Sequence, residues 1–223
     1  MSEIALDDLM TILRESKEDN CLKEIEGRLD KALEILGAQK QESGFWEINR
    51  SMRINVALRA VSRGAEIEDV VNFLTWKDFE CFVANILIEN DYKCVESFRK
   101  RGTPEARGLE IDVIGIKGNS IVAVDTKMWG VRTGKSSALK PAAEKQKERT
   151  KRLCIIMPRL SERMGTIPNG TYSLKPILVT WMVEEVVFHG GVPIVPVFKL
   201  NSFLQDIAIY EDMIAASKCV LGD

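Results

Sequence analysis

The fold is decided by residues 110–127, which read EIDVIGIKGNSIVAVDTK. Two apolar stretches within it, 110–116 and 121–126, are rich in isoleucine and valine, as is typical of strands. Between them lies Gly118-Asn119, a dipeptide that favours a tight turn. The segment therefore predicts a β-hairpin.

Outward from this hairpin the chain alternates between helical and strand patterns. A helix is predicted over 76–89 and a strand over 92–98 before the hairpin. A basic helix over 139–152 and a strand over 177–181 follow the hairpin, and their crossover makes a mixed α/β sheet. The remaining predictions are Pro141 in the first turn of the basic helix, an edge strand at 192–198, and a last helix capped by Asn201 or Ser202.

Residues 1–75 have a different pattern and form a separate, all-helical N-terminal region, whereas 76–223 form the α/β domain. A leucine stripe over 22–36 predicts a helix that stops at Gly37. This region either packs or dimerises through that stripe, or contains a helix-turn-helix at 48–74. In the second case its arginines would touch phosphate: Arg50, Arg53, Arg59 and Arg63.

Composition excludes several classes of protein. The chain has 223 residues, 45% hydrophobic and 29% charged, so it is neither disordered nor collagen-like. The net charge of −2 means that any nucleic-acid surface must be local, and a single histidine excludes a His-rich zinc site. The apolar runs are too short to span a bilayer and no secretory signal is visible at the N-terminus, so we expect a cytoplasmic protein without a membrane partner. In that compartment the five scattered cysteines are expected to stay reduced.

Three residues of the hairpin carry the predicted chemistry. Asp125 and Lys127 alternate along one strand and therefore face the same way, and hairpin pairing brings Asp112 near them. Two carboxylates beside an ammonium are costly unless something compensates, and a bound Mg²⁺ would do so. The alternative is an ordinary Asp125–Lys127 surface pair, and the residues by themselves leave both interpretations open.

These residues resemble the PD-(D/E)XK nuclease superfamily, most closely its Mrr-like restriction endonucleases and archaeal Holliday-junction-resolvase relatives. The likeness covers about residues 76–205 and rests on WKDFE at 76–80, EIDV at 110–113 and VDTKMW at 124–129. It implies a restriction-endonuclease-like mixed β-sheet flanked by helices. It also implies hydrolysis of DNA phosphodiester bonds with Mg²⁺ or Mn²⁺.

The resemblance assigns roles position by position. Asp112 matches the first metal-binding aspartate, Asp125 the second acid, and Lys127 the lysine that activates or positions the attacking water. The Thr126 carbonyl is expected to join the metal ligands, and Glu80 matches an acid on the first helix that supports metal or water. Two departures are Ile111 where proline is common and Asp125 where glutamate is commoner.

Further residues are expected to support this site. Gln146 matches a glutamine that relatives often carry on the helix after the motif strand. Glu110 is either an extra metal ligand or a rim charge. Segment 99–152 holds 14 basic against 6 acidic residues, which suits a phosphate backbone, although a solvated helix face is the alternative. The expected DNA-binding residues are Arg99, Lys100, Arg101, Arg107, Arg132, Lys135, Lys140 and Lys147.

The function expected from the sequence is an Mrr-like, Mg²⁺-dependent DNA endonuclease. The alternative is a catalytically inactive nucleic-acid-binding or scaffold protein with the same fold, and a third option is an RNA nuclease. A homodimer would supply the two active sites that a double-strand cut needs.

Overall fold

The computed structural model describes residues 4–22, 27, 29–102, 108–128, 135–165, 167–181 and 187–222, and the side chains of 135–137 fall outside that description. The chain divides into two compact units, Met1–Phe82 and Val83–Asp223. The division falls inside the helix predicted to open the α/β domain.

The N-terminal unit is mainly helical, as predicted. Its helices are α1 (Leu6–Glu15), α2 (Asp30–Leu36), α3 (Arg50–Ser62), α4 (Ile67–Phe73) and the first half of α5 (Trp76–Glu89). It also contains a small antiparallel sheet that the sequence did not predict, in the order β1-β3-β2, formed by β1 (Cys21–Leu22), β2 (Gln39–Lys40) and β3 (Trp46–Glu47). The helix predicted over 22–36 therefore begins only at Asp30, because Leu22 pairs with Trp46 in this sheet. Gly37 ends α2 in the left-handed conformation, as expected.

Arg53 is buried inside this unit, which contradicts its predicted contact with phosphate. Its guanidinium is fully buried and donates to both carboxylate oxygens of Asp78, at 3.2 and 3.1 Å. It also donates to the backbone carbonyls of Leu13 and Phe73 and to the hydroxyl of Ser16. Arg53 thus holds α1, α3, α4 and the start of α5 together and presents no charge to solvent.

The second unit is built on a seven-stranded mixed sheet, which confirms the predicted fold class. Six strands run in the order β4-β5-β6-β7-β9-β8 and the last strand, β10, pairs with β7. The strands are β4 (Lys93–Lys100), β5 (Leu109–Lys117), β6 (Ser120–Lys127), β7 (Gly170–Thr180), β8 (Phe188–His189), β9 (Val192–Pro196) and β10 (Ser217–Leu221). Among the strands that the structure describes, β6–β7 and β7–β9 are the parallel pairs.

The predicted hairpin and crossover are both present. β5 and β6 pair antiparallel from Lys117↔Ser120, across a turn in which Gly118 has a φ of 54°. The chain then passes through α6 (Lys135–Leu153), a 3-10 turn (Cys154–Ile156) and α7 (Met157–Met164) to β7.

Three local predictions were wrong. α6 starts at Lys135, so Pro141 lies inside it; Leu139 and Ala143 pack against β7 and β9 and offset the missing backbone hydrogen bond. β9 is not an edge strand, because β8 pairs outside it through Phe188↔Pro193. The last helix, α8 (Val197–Gln205), begins directly after Pro196, well before Asn201.

The core of this unit joins the sheet to the helices after the hairpin. Its members come from β4, β5, β6, β7, the end of α6, the 3-10 turn, α7, the loop after α7 and β10: Phe98, Leu109, Ile111, Ile114, Ile121, Ala123, Leu153, Ile156, Met157, Leu160, Ile167, Tyr172, Leu174 and Cys219. Within it Cys154 and Cys219 form a disulfide across 65 residues, which overturns the expectation that every thiol stays reduced. Cys21, Cys81 and Cys94 are free thiols. No helix in the described ranges is both long and apolar enough to cross a membrane.

Candidate metal centre and basic groove

The site is built where the β5–β6 ladder ends. The last backbone pair in the register is Val113↔Val124, and one further step places Asp112 opposite Asp125. Residues opposite each other in an antiparallel pair point to the same face of a sheet. The two aspartates therefore lie at the same level of the hairpin, and the convergence of their carboxylates on one metal stays a prediction.

Asp112 takes over as the acceptor where the backbone ladder stops. Its carboxylate oxygen Oδ2 accepts hydrogen bonds from the amide of Thr126 at 2.8 Å and from the hydroxyl of Thr126 at 3.0 Å. These two bonds fix the Asp112 side chain to β6, one residue beyond Asp125.

The neighbouring strand β4 is distorted at the same level. Ser97, which the register places opposite Asp112, has a φ of 50°, in the left-handed region that costs energy for a residue other than glycine. The carbonyls of Glu96 and Ser97 accept hydrogen bonds from Arg163 of α7, at 3.0 and 3.3 Å. Two carbonyls of β4 therefore accept hydrogen bonds from α7 at the same level of the sheet at which Asp112 accepts from Thr126.

Asp125 is buried and bound by two cations. Its side chain is only 4% exposed. Oδ2 forms an ion pair with the ammonium of Lys127, and Oδ1 accepts from Nη1 of Arg149 at 2.8 Å. Asp125 and Lys127 therefore share one face, as predicted, and they do so in a buried cluster rather than as an ordinary surface pair.

Gln146 anchors α6 to the motif strand. It is fully buried, and its amide Nε2 donates to the carbonyl of Ala123 at 2.8 Å, two residues before Asp125. Its other amide atom, Oε1, is buried and has no hydrogen-bond partner among the described residues. Because Arg149 lies three residues further on, the same face of α6 holds β6 through Gln146 and reaches Asp125 through Arg149.

A basic groove of about 650 Å³ opens beside this cluster. It runs between the end of the β4–β5 pair and α6, and Arg149 belongs both to its wall and to the Asp125 cluster. Six basic side chains and two acidic ones line it: Arg99, Lys100, Arg101, Lys145, Arg149 and Arg152, with Glu110 and Glu148. The groove therefore presents net positive charge, and Arg149 links it to Asp125.

Three of the predicted DNA-binding residues line the groove, namely Arg99, Lys100 and Arg101. Lys140 is exposed on α6, and Lys147 donates to the carbonyl of Gly190 at 2.7 Å. Arg107, Arg132 and the side chain of Lys135 lie outside the described part of the chain.

Glu110 sits at the rim of the groove. Its carboxylate pairs with Arg99 at 2.6 Å and is about half exposed. This position favours the rim-charge interpretation over a role as a metal ligand.

Glu80 belongs to the N-terminal unit. Its buried carboxylate pairs with Lys77 at 2.8 Å, one turn along α5. Its role beside a metal stays a prediction.

The wall residues on α6 were missed from the sequence. Lys145, Arg149 and Arg152 recur at steps of four and three residues, the spacing of one helical face. That periodicity, read together with the predicted helix, would have separated them from Lys147, which lies on another side.

The donor set suits a hard divalent cation. Within the described residues, no group of three or more His, Cys, Asp or Glu side chains is gathered so as to hold a metal. Mg²⁺, however, keeps several waters and commonly takes only one or two carboxylates from a protein. Asp112 and Asp125 are the two carboxylates predicted for that role, and both oxygens of Asp125 are paired with cations in this structure.

No protein-family model matches the chain. An uncharacterized protein from Archaeoglobus fulgidus is 26% identical over 137 residues, which are 61% of this chain and 95% of that protein. Among solved structures, VC1899 from Vibrio cholerae has a TM-score of 0.34 and 12% identity, over 93% of this chain and 51% of that one. Can2 from Sulfobacillus thermosulfidooxidans, solved with cyclic tetra-adenylate, has a TM-score of 0.36 and 10% identity, over 90% of this chain and 51% of that one. The chain spans about half the length of these two structures, and likeness at this level carries no conclusion about activity.

Proposed function

We propose that this chain is a divalent-metal-dependent endonuclease that hydrolyses phosphodiester bonds in DNA, of the Mrr-like type. The observation that carries the proposal is the hairpin end, where Asp112 and Asp125 lie at the same level on adjacent strands and Asp125 pairs with Lys127, next to a groove lined with cations.

Asp112, Asp125 and the Thr126 carbonyl would hold Mg²⁺ or Mn²⁺. When bound, the ion neutralises negative charge on the phosphate and lowers the pKa of a coordinated water. The ammonium of Lys127 forms an ion pair with Asp125. It would therefore be close enough to the metal to position the attacking water or to stabilise charge on the phosphate. Water then adds to phosphorus and the bond to the 3′-oxygen breaks, which leaves a 5′-phosphate and a 3′-hydroxyl.

Groove residues supply affinity rather than chemistry. Arg99, Lys100 and Arg101 come from β4 and the residue after it, and Lys145 and Arg152 come from α6, so the charges face each other across a cleft. Arginine and lysine contacts of this kind bind the backbone regardless of base sequence and weaken with added salt.

One observation favours a second candidate, a nucleic-acid-binding protein without catalysis. Both oxygens of Asp125 are already paired with cations, so this carboxylate is compensated without a metal. In that case Asp112 and Asp125 serve to hold β6 and α6, and the groove alone acts.

A cleavage assay separates the two candidates. The protein is incubated with plasmid, single-stranded, flapped and four-way-junction DNA, each with Mg²⁺, Mn²⁺ or EDTA, and with matching RNA. Cleavage that disappears in EDTA and in Asp125→Asn, but not in Asp212→Asn, supports the nuclease. Asp212 is a suitable control because it is an exposed aspartate of the same unit. Binding without cleavage under every metal condition supports the second candidate, and cleavage confined to RNA supports an RNA nuclease.

A further inference from the structure

Arg149 occupies a position where it competes with a metal. Its Nη1 lies 2.8 Å from Oδ1 of Asp125, while Lys127 holds the other oxygen. A divalent ion on this carboxylate would therefore stand within a few ångströms of two further positive charges. Like charges at such distances in a partly buried site repel strongly, so one of the two cations must leave or be neutralised.

Lys127 is the cation that the proposed function keeps beside Asp125. It belongs to β6, its backbone pairs with Thr180 of β7, and its carbonyl accepts from the amide of Trp181 at 3.3 Å. Its side chain is 22% exposed, close to the 20% of Arg149, so the two cations differ not in exposure but in that Arg149 lines the groove.

Arg149, in contrast, borders a space in which a bound phosphate could replace Asp125 as its acceptor. Its side chain is one-fifth exposed and lines the basic groove, on the wall opposite Arg99 and Lys100. A guanidinium can bind a phosphate through two parallel hydrogen bonds. A DNA phosphate in the groove would thus offer Arg149 an acceptor that replaces Asp125.

We propose that Arg149 is a substrate-coupled positioning residue. It pairs with Asp125 while the groove is empty and weakens metal binding, and it transfers to a backbone phosphate when DNA occupies the groove. Metal and DNA then favour each other's binding, because a coupling free energy is reciprocal. This inference rests on the proposed metal site. It adds that the site reaches its full affinity for the metal only when DNA occupies the groove.

The test measures Mn²⁺ binding to the DNA-free protein by the electron paramagnetic resonance signal of free Mn²⁺. Arg149→Met removes the competing charge, and we expect it to tighten Mn²⁺ binding on the order of tenfold, within the usual range of coupling. Arg149→Gln also removes the charge but keeps a hydrogen-bond donor for Asp125, so it serves as a second variant should Arg149→Met fail to fold. We expect Arg149→Gln, too, to bind Mn²⁺ more tightly than the unmodified protein. Arg159→Met, which removes an exposed arginine of α7 in the same unit, is expected to leave Mn²⁺ affinity unchanged.

A second readout follows DNA directly. Fluorescence anisotropy of a labelled phosphorothioate duplex gives its affinity in EDTA and in Mn²⁺. For the unmodified protein we expect Mn²⁺ to tighten duplex binding, and for Arg149→Met we expect weaker duplex binding in EDTA together with a smaller gain from Mn²⁺.

The outcomes distinguish this inference from the proposed function. If the unmodified protein and both Arg149 variants bind Mn²⁺ equally, or the variants bind it more weakly, Arg149 has only a structural role and the coupling is wrong, while the nuclease proposal stands. If no variant binds Mn²⁺, with folding verified by circular dichroism, both the coupling and the metal site fail.

Discussion

Asp112 accepts two hydrogen bonds from a single residue, Thr126, through the backbone amide at 2.8 Å and through the hydroxyl at 3.0 Å. The backbone pairing of β5 with β6 ends at Val113↔Val124. Beyond it, the Asp112 carboxylate accepts the hydrogen bond that a backbone carbonyl would accept within the ladder. Asp112 is therefore both a structural acceptor and a candidate metal ligand, and the two roles make different demands on the side chain.

Substitutions at Asp112 separate these roles. Asp112→Asn keeps an oxygen that can accept from Thr126 and removes the charge, so we expect stability close to that of the unmodified protein and loss of Mn²⁺ binding and cleavage. Asp112→Ala leaves the Thr126 amide without this acceptor and is expected to cost a further 1–3 kcal/mol or so in the free energy of unfolding. Urea unfolding and Mn²⁺ titration measure the two quantities.

Asp212→Asn and Asp212→Ala are the matched controls, because this exposed side chain should affect neither quantity. Equal stability losses for the two Asp112 variants would show that the acceptor role is unimportant. Undiminished metal binding in Asp112→Asn would remove Asp112 from the metal site.

The strands β5 and β6 could be predicted from the sequence because the local sequence signals and the tertiary packing agree there. The Gly118-Asn119 turn and the two apolar runs around it point to the same hairpin that the register contains. Where the local pattern failed, tertiary packing had overridden it. Leu22 fits the helical stripe but pairs with Trp46 in a strand, and Pro141 should start a helix but lies within one whose N-terminal part is held by Leu139.

The buried pair of Arg53 and Asp78 predicts a strong dependence of the N-terminal unit on either partner. Removing one side leaves the other charge buried without compensation, so Arg53→Met or Asp78→Asn should cost about 3–5 kcal/mol. Hydrogen exchange of amides in α1 and α3 during urea unfolding localises the loss to this unit.

Arg14→Met provides the comparison for that pair. Arg14 pairs with Glu15 at 3.0 Å, but both side chains are about half exposed, so its loss should cost no more than about 1 kcal/mol. If Arg53→Met lowers the free energy of unfolding by a similarly small amount, Arg53 is solvated. The contact with phosphate predicted from the sequence would then be open again.

The disulfide between Cys154 and Cys219 ties the 3-10 turn after α6 to β10. It closes a loop of 65 residues, so Cys154→Ser or Cys219→Ser should lower the free energy of unfolding by about 2–4 kcal/mol. Urea unfolding with and without dithiothreitol measures the effect, and Cys21→Ser is the control because Cys21 is a free thiol. If reduction leaves the unfolding midpoint unchanged, the bond does not form in solution.

Cys94 is expected to react slowly with alkylating agents. Burial, and next the negative charge of Glu96, raise the pKa of its thiol to about 12. Both causes disfavour the thiolate, so at pH 8 almost all of this thiol is protonated, and its reactivity should rise as the pH approaches 12. Timed iodoacetamide labelling with mass spectrometry compares Cys94 with the partly exposed Cys21. Equal labelling rates at pH 8 would contradict the raised pKa.

The candidate site was only partly accessible from sequence. Alternation along a strand was enough to bring Asp125 and Lys127 to one face. Arg149 was not found, since its contact with Asp125 depends on how α6 is rotated and seated on β6, and the hydrogen bond from Gln146 to Ala123 helps to fix that seating. The same packing separates Lys147, which contacts Gly190, from the groove.

The most direct measurement of the central claim is a crystal structure soaked in Mn²⁺, with anomalous scattering recorded to locate the ion. We predict an anomalous peak within coordination distance of the carboxylates of Asp112 and Asp125, with Arg149 displaced from Asp125. A well-ordered hairpin end without such a peak, at Mn²⁺ concentrations that support cleavage by other nucleases and with Asp125 still held by Lys127 and Arg149, would contradict the metal-dependent nuclease.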